Sequence, residues 1–117
     1  MGVFRNEGEE EVMNKETALQ NQIIAELNRR GHFAQNHTVG TFLAPGDGRR
    51  VKIGNHGEAD IWGFRKGDAR ALFLEIKLPG ERPRQDQYAF LEAVRKMGAI
   101  SGWCTSVEEA VRIVEET

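Results

Sequence analysis

The sequence predicts an α/β fold, a mixed β-sheet flanked by helices in the order α-β-β-β-α-β-α, and three observations carry that expectation. Two strand-like runs, Asp60-Ile61-Trp62-Gly63-Phe64 and Ala71 to Leu78, are joined by the turn-forming Arg65-Lys66-Gly67-Asp68, which predicts a hairpin. Helical spacing of apolar residues appears on either side of that hairpin. The apolar run Ala99 to Cys104 is reached only through the second helix, which places it beside the hairpin by a crossover and makes the sheet mixed.

Taken in order, residues 1 to 13 contain Gly2, Asn6, Gly8 and Glu9-Glu10-Glu11, with few apolar side chains, and read as a flexible acidic arm before a single domain spanning 14 to 117. Asn14 has the chemistry of an N-cap, Leu19, Ile23, Ile24 and Leu27 recur at helical spacing, and Gly31 is a stop; the first helix is therefore expected over Lys15 to Arg30. His32 to Asn36 forms the first strand. Thr38 to Gly57 is a glycine-rich passage with the turn Pro45-Gly46-Asp47-Gly48, in which Arg49, Arg50 and Lys52 flank Val51 and Ile53. Two readings fit it: a basic hairpin or flap that touches a phosphate backbone, or a solvated turn with an edge strand.

After the hairpin, Pro79 to Arg84 makes a basic turn, and a helix from about Arg84 to Met97 follows, with Phe90, Leu91, Val94 and Met97 on one face and Gly98 as its stop. Gln87 shares that face at the helix start, where a buried amide needs hydrogen-bond partners. Arg82 and Arg84 stand beside the same helix N-terminus; they either meet an anion there or are simply solvated. Ser106-Val107-Glu108-Glu109 is a capping box that opens the last helix, expected through Val114.

With 117 residues, 39% hydrophobic and 29% charged, the chain is sized and composed as one globular domain. A single cysteine, Cys104, excludes an intramolecular disulfide and a cysteine-rich zinc site. No run approaches the roughly 18 apolar residues of a membrane span, and the N-terminal residues lead into acid rather than a signal core. The expectation is a soluble protein, intracellular and cytoplasmic, in a bacterium or a virus-infected host cell. The net charge of -2 is unevenly spread: residues 1 to 16 and 107 to 117 are each about -3, leaving the middle near +4. A modest basic face and a mixed solvated surface both fit that count.

Asp60, Glu75 and Lys77 are the residues that break the apolar pattern. Residues two apart in a strand share a face, so Glu75 and Lys77 point together while Leu74, Ile76 and Leu78 point into the opposite layer. A carboxylate in a half-buried sheet needs compensating charge. Lys77 supplies some, and a divalent cation between Asp60 and Glu75 would supply more; hard oxygen ligands suit Mg²⁺ or Mn²⁺ better than zinc. The three histidines, His32, His37 and His56, fit no helix-borne metal pair and read as surface or strand residues, with His37 and Asn36 near the hairpin if the first strand runs beside it.

The spacing Asp…Glu-x-Lys on a hairpin is the PD-(D/E)XK nuclease pattern. The chain resembles the stand-alone VRR-NUC (virus-type replication-repair nuclease) family through Glu16 in the first helix, Arg30-Gly31-His32-Phe33, Gly57-Glu58-Ala59-Asp60-Ile61, Glu75-Ile76-Lys77 and Gln87-Tyr88-Ala89-Phe90, over about residues 14 to 114. The resemblance implies a restriction-endonuclease-like core in which Asp60, Glu75, the carbonyl of Ile76 and, directly or through water, Glu16 hold Mg²⁺ or Mn²⁺. From residue position alone, Glu16 is a first-turn acid on the apolar face, favourable to the helix dipole. The resemblance further implies that Lys77 orients or deprotonates the attacking water and that Gln87 orders the lysine and the substrate phosphate. Ala59 replaces the family's proline, a change of backbone shape that leaves the ligand set intact.

The implied activity is a metal-dependent DNA endonuclease leaving 5′-phosphate and 3′-hydroxyl ends. Stand-alone members look like homodimers acting on branched DNA such as four-way junctions, and apolar surface on the last helix or the Trp103 strand is the expected dimer contact. The rivals are a non-specific or flap-type nuclease with the same catalytic residues, a restriction-like enzyme, which needs added recognition segments, and a catalytically inactive DNA-binding or partner-binding module.

Overall fold

The computed structural model describes residues 7–37, 40–43, 46, 48–53 and 57–117, with side chains for 14–37, 46, 48, 49 and 57–117. The elements run α1 (Glu7–Arg29), β1 (Phe33–Asn36), β2 (Gly40–Leu43), β3 (Arg50–Ile53), β4 (Ile61–Phe64), β5 (Ala71–Ile76), α2 (Gln85–Lys96), β6 (Ile100–Cys104) and α3 (Val107–Glu116). Four strands form one sheet in the order β1-β4-β5-β6, in which β1, β4 and β5 are antiparallel and β6 is parallel to β5. The parallel pair requires a crossover, and α2 is that crossover. The expected mixed sheet flanked by helices is thus present. The passage between β1 and β4 adds a separate antiparallel hairpin, β2 with β3, to the expected order.

Alternation along the strands sorts the layers. Ile61, Leu72, Leu74 and Ile76 turn to one face and are buried with Ile23 and Leu27 of α1 and Ala110 and Val114 of α3. Each Ile, Leu and Val among them contributes roughly 1.5–3 kcal/mol of burial. Trp62, Phe73 and Glu75 turn to the other face, where α2 lies; there Phe73 meets Phe90 edge-to-face at 5.5 Å, and the Ser101 hydroxyl donates to the Leu91 carbonyl at 2.7 Å.

Both helix stops act as the sequence suggests, and for one reason. Gly31 and Gly98 adopt φ of +93° and +107°. In each, a six-residue bond follows: His32 N–H to the Leu27 carbonyl at 3.1 Å, and Ala99 N–H to the Val94 carbonyl at 3.0 Å. This satisfies carbonyls the helix end leaves open, in a backbone conformation that favours glycine. At α3, Ser106 is the N-cap and its hydroxyl accepts from Glu109 N–H.

Three expectations need correction. The first helix begins at Glu7, ahead of the expected Lys15, so Asn14 lies inside the helix rather than capping it; Glu7, Glu9, Glu10 and Glu11 carry negative charge into the first turns, which suits the positive end of the helix dipole. Met97 does not share the buried face of α2: it is the C-cap, 83% exposed. The β4–β5 connection runs from Arg65 to Arg70, closed by Arg65 N–H to the Arg70 carbonyl at 2.9 Å, because strand pairing stops at Phe64 and Ala71.

The large exposed apolar side chains among the described residues are Phe33, Phe64, Tyr88 and Met97, which lie on β1, β4, α2 and the α2 C-cap. The apolar side of α3 is spent on the core instead of forming a free surface, and Trp103 is half-buried. Among the described residues, no helix is long and apolar enough to cross a membrane.

Candidate functional site

The Ile61–Leu74 register places Asp60, one residue before β4, across from Glu75 near the end of β5. The Asp60 carboxylate accepts the Ile76 N–H at 2.9 Å. It thereby takes the place of the next rung of the ladder, and the strand edge holds the acid in position. Main-chain N–H and C=O of one strand residue point to the same side, so the Ile76 carbonyl is directed to the β4 side of β5.

Glu75 is 2% exposed. One of its oxygens accepts from the Gln87 amide at 3.0 Å and lies 3.9 Å from the Lys77 ammonium; the other, Oε2, is buried with no hydrogen-bond partner. Burial first, and then the Asp60 carboxylate beside it, push the Glu75 carboxyl up to about 9, against the pull of Lys77 and Arg84. An ionised carboxylate has about four acceptor positions to satisfy. The orphaned oxygen therefore needs either a proton or a cation, and a hard divalent cation shared with Asp60 fits both the oxygen donors and the charge.

Gln87 is 6% exposed and acts at both ends: its amide donates to Glu75 while its carbonyl oxygen accepts Arg84 N–H at 2.8 Å. The buried amide finds the partner its position on the helix face demanded. That partner is the acid, whereas no hydrogen bond to Lys77 is seen among the described contacts.

Glu16 stands on α1 within electrostatic reach of Lys77 and Asp60, and its carboxyl pairs with that of Glu81. Burial and the neighbouring Glu81 raise the Glu16 carboxyl above its ordinary value, while the Leu78 N–H, donated to Glu81 at 2.7 Å, holds Glu81 below its own. Consequently Glu16 is turned toward Glu81, and no three His, Cys, Asp or Glu side chains among the described residues converge into a preformed cation cage. Glu81 is the acid that sequence reasoning missed. It belongs to a turn, Pro79 to Arg84, that reads as basic, and only the return of that turn over α1 brings it here.

The basic residues are less concentrated. Arg82 is exposed; Arg84 is 61% exposed along its side chain and pairs with Asp86 at 3.1 Å at the start of α2. Arg49 is exposed beside the β2–β3 hairpin, while the side chains of Arg50 and Lys52, and all of His56, lie outside the described residues. His37 does come to the site, as its main-chain N–H donates to the Asp60 carbonyl at 2.8 Å and its ring pairs with Glu58. Asn36 lies alongside, accepting from Gln20, whose amide also reaches the Asp60 carbonyl at 3.1 Å. His32 is instead buried: its Nδ1 accepts the Lys66 N–H and its Nε2 meets Glu115 at 2.9 Å, a packing role.

No family model matches the chain, and no curated protein does. Among solved structures, one described as a VRR_NUC domain matches with a TM-score of 0.60 and 19% identity, over 86% of this chain and 95% of that one. The chain has the fold of a VRR_NUC domain.

Proposed function

We propose that the chain is a metal-dependent DNA endonuclease that acts on branched DNA, in the manner of a junction resolvase, in replication, recombination or repair. One observation carries the reading: a fully buried glutamate with an orphaned oxygen beside a second carboxylate, with a lysine 3.9 Å away. Isolated buried acids of this kind cost several kcal/mol, roughly, and persist where the site has a use for them. The shared fold with a VRR_NUC domain supports the same reading.

Asp60, Glu75 and the Ile76 carbonyl are the groups that would hold Mg²⁺ or Mn²⁺, with Glu16 reaching through water. Such an ion supplies a Lewis acid for the scissile phosphate and an acidified water. Lys77 holds the attacking water and stabilises the charge that develops on the phosphate oxygens. Gln87 keeps one Glu75 oxygen engaged and so leaves the other directed at Asp60. Arg49, Arg50, Lys52, Arg82 and Arg84 are the candidates for contacts to the DNA backbone, and a homodimer would present two sites to a symmetric junction.

The test is cleavage of labelled linear duplex, flap, splayed-arm and four-way-junction DNA by wild type, Asp60→Ala and Lys77→Ala, in Mg²⁺, Mn²⁺ or EDTA. Symmetric junction cuts are expected only with metal, with Lys77→Ala slower by on the order of 10²–10⁴-fold. Equal cutting of all substrates points to a non-specific or flap-type nuclease, and binding without any cutting replaces the nuclease reading with that of an inactive module.

A further inference from the structure

A cavity of about 350 Å³ opens on the α2 side of the sheet, walled by Trp62, Phe73, Phe90 and Val94, with His37 and Glu58 at one end. The carboxylate pair and its lysine and glutamine partners use none of the apolar side chains. Its position is set by the same two elements, since Phe73 precedes Glu75 by two residues on one face of β5 and Phe90 follows Gln87 by three on one face of α2. The aromatic rung therefore lies about 7 Å from the carboxylate rung along the strand and about one helical turn along α2. At the polar end, the His37 main chain is bonded to Asp60 itself. The cavity and the carboxylate pair are neighbours on one surface.

We propose that this slot receives one unstacked nucleobase of the DNA strand whose phosphate meets Asp60 and Glu75; the inference rests on the nuclease reading and names what that site recognises. The size and the lining chemistry agree with that occupant. A base is a flat plate with apolar faces and a polar edge, and the slot offers aromatic walls with a single polar end. The paired imidazole and carboxylate of His37 and Glu58 present both hydrogen-bond donor and acceptor capacity to a base edge. Aromatic walls stack any base, so the slot selects for an unpaired nucleotide rather than for a sequence. In continuous duplex a base has to leave its stack to enter, whereas a nucleotide at a junction or flap is already free of that cost. The slot would in this way distinguish branched from linear DNA within this domain itself.

The experiment measures binding of a short labelled single strand by fluorescence anisotropy in EDTA, with a single abasic site moved along the strand. Wild type, Trp62→Ala and Val94→Trp are compared, the last filling the slot while leaving the carboxylates in place; circular dichroism verifies that each is folded. The expected result is a loss of roughly tenfold in wild-type affinity at one abasic position. Both variants should bind the intact strand about as weakly and lose the abasic sensitivity. Equal affinity at every abasic position, with normal DNA binding, overturns this inference and leaves the nuclease reading standing; absence of any DNA binding in EDTA also overturns this inference, and the nuclease reading is then decided by the cleavage test in metal. Displacement of the intact strand by a mononucleotide at equal concentration assigns the slot to a free nucleotide, and a concentration-dependent dimer abolished by Val94→Trp assigns it to a second copy; either result overturns the inference.

Discussion

Replacing Glu75 by glutamine should stabilise the metal-free protein, and by an amount that grows with pH. The folded state holds the Glu75 proton up to about 9, whereas the unfolded chain releases it near the ordinary 4.5. Because the folded form binds the proton more tightly, stability is greatest below the unfolded value, falls as pH rises between the two, and is level above the folded one. At pH 7 the loss spans about two and a half pH units at ~1.4 kcal/mol each, so ~2–3 kcal/mol once water penetration is allowed for. Glutamine keeps the shape, can accept from Gln87 and can donate to Asp60, and it removes the charge. For a chain of this size the gain corresponds to roughly 8–12 °C in melting midpoint at pH 7 and almost nothing at pH 4.5. Thermal unfolding of wild type and Glu75→Gln in EDTA, followed by circular dichroism across that range, measures it. Curves that run parallel at all pH values would refute the claim that this carboxyl is buried against Asp60. Addition of Mg²⁺ or Mn²⁺ should raise the wild-type midpoint and leave the variant nearly unmoved, since ligand binding stabilises only the form that holds it.

Gln87→Ala breaks two hydrogen bonds at once, leaving the Glu75 oxygen and the Arg84 N–H without partners; a destabilisation of about 1–3 kcal/mol is expected from urea titration. Gly63→Ala should prevent folding or cost more than about 3 kcal/mol, because a Cβ there would sit 1.8 Å from the Phe33 carbonyl oxygen across the β1–β4 pair; a normal melt for this variant would mean that register is wrong. Arg65 donates to the carbonyls of Val114 at 3.0 Å and Thr117 at 2.7 Å, closing the end of α3. Arg65→Ala should therefore raise amide exchange in the last turn of α3 by about five- to tenfold, with Arg65→Lys recovering only part, since an ammonium cannot reproduce the guanidinium fork.

The sequence by itself determined the strands of the main sheet, the helices against it and their layers. Period-2 alternation with the Gly67 turn marked β4 and β5, 3.6-residue spacing marked α1 and α2, and Gly31 and Gly98 ended those helices where a left-handed residue was needed. It also singled out Asp60, Glu75, Lys77 and Gln87, because a charge or amide inside an apolar pattern is visible in one dimension. What only the tertiary structure decided is who meets whom. Asp60 is held by the Ile76 N–H, Glu16 is drawn to Glu81, His37 is bonded to Asp60, and Arg65 closes a helix nearly fifty residues away. None of these pairings leaves a periodic trace, since each has a member in a loop or at a strand end and its distance is set by how layers stack. The aromatic slot has the same origin: Phe73 belongs to a strand run and Phe90 to the apolar face of a helix, and only the packing of α2 across the sheet leaves a space between them and Trp62.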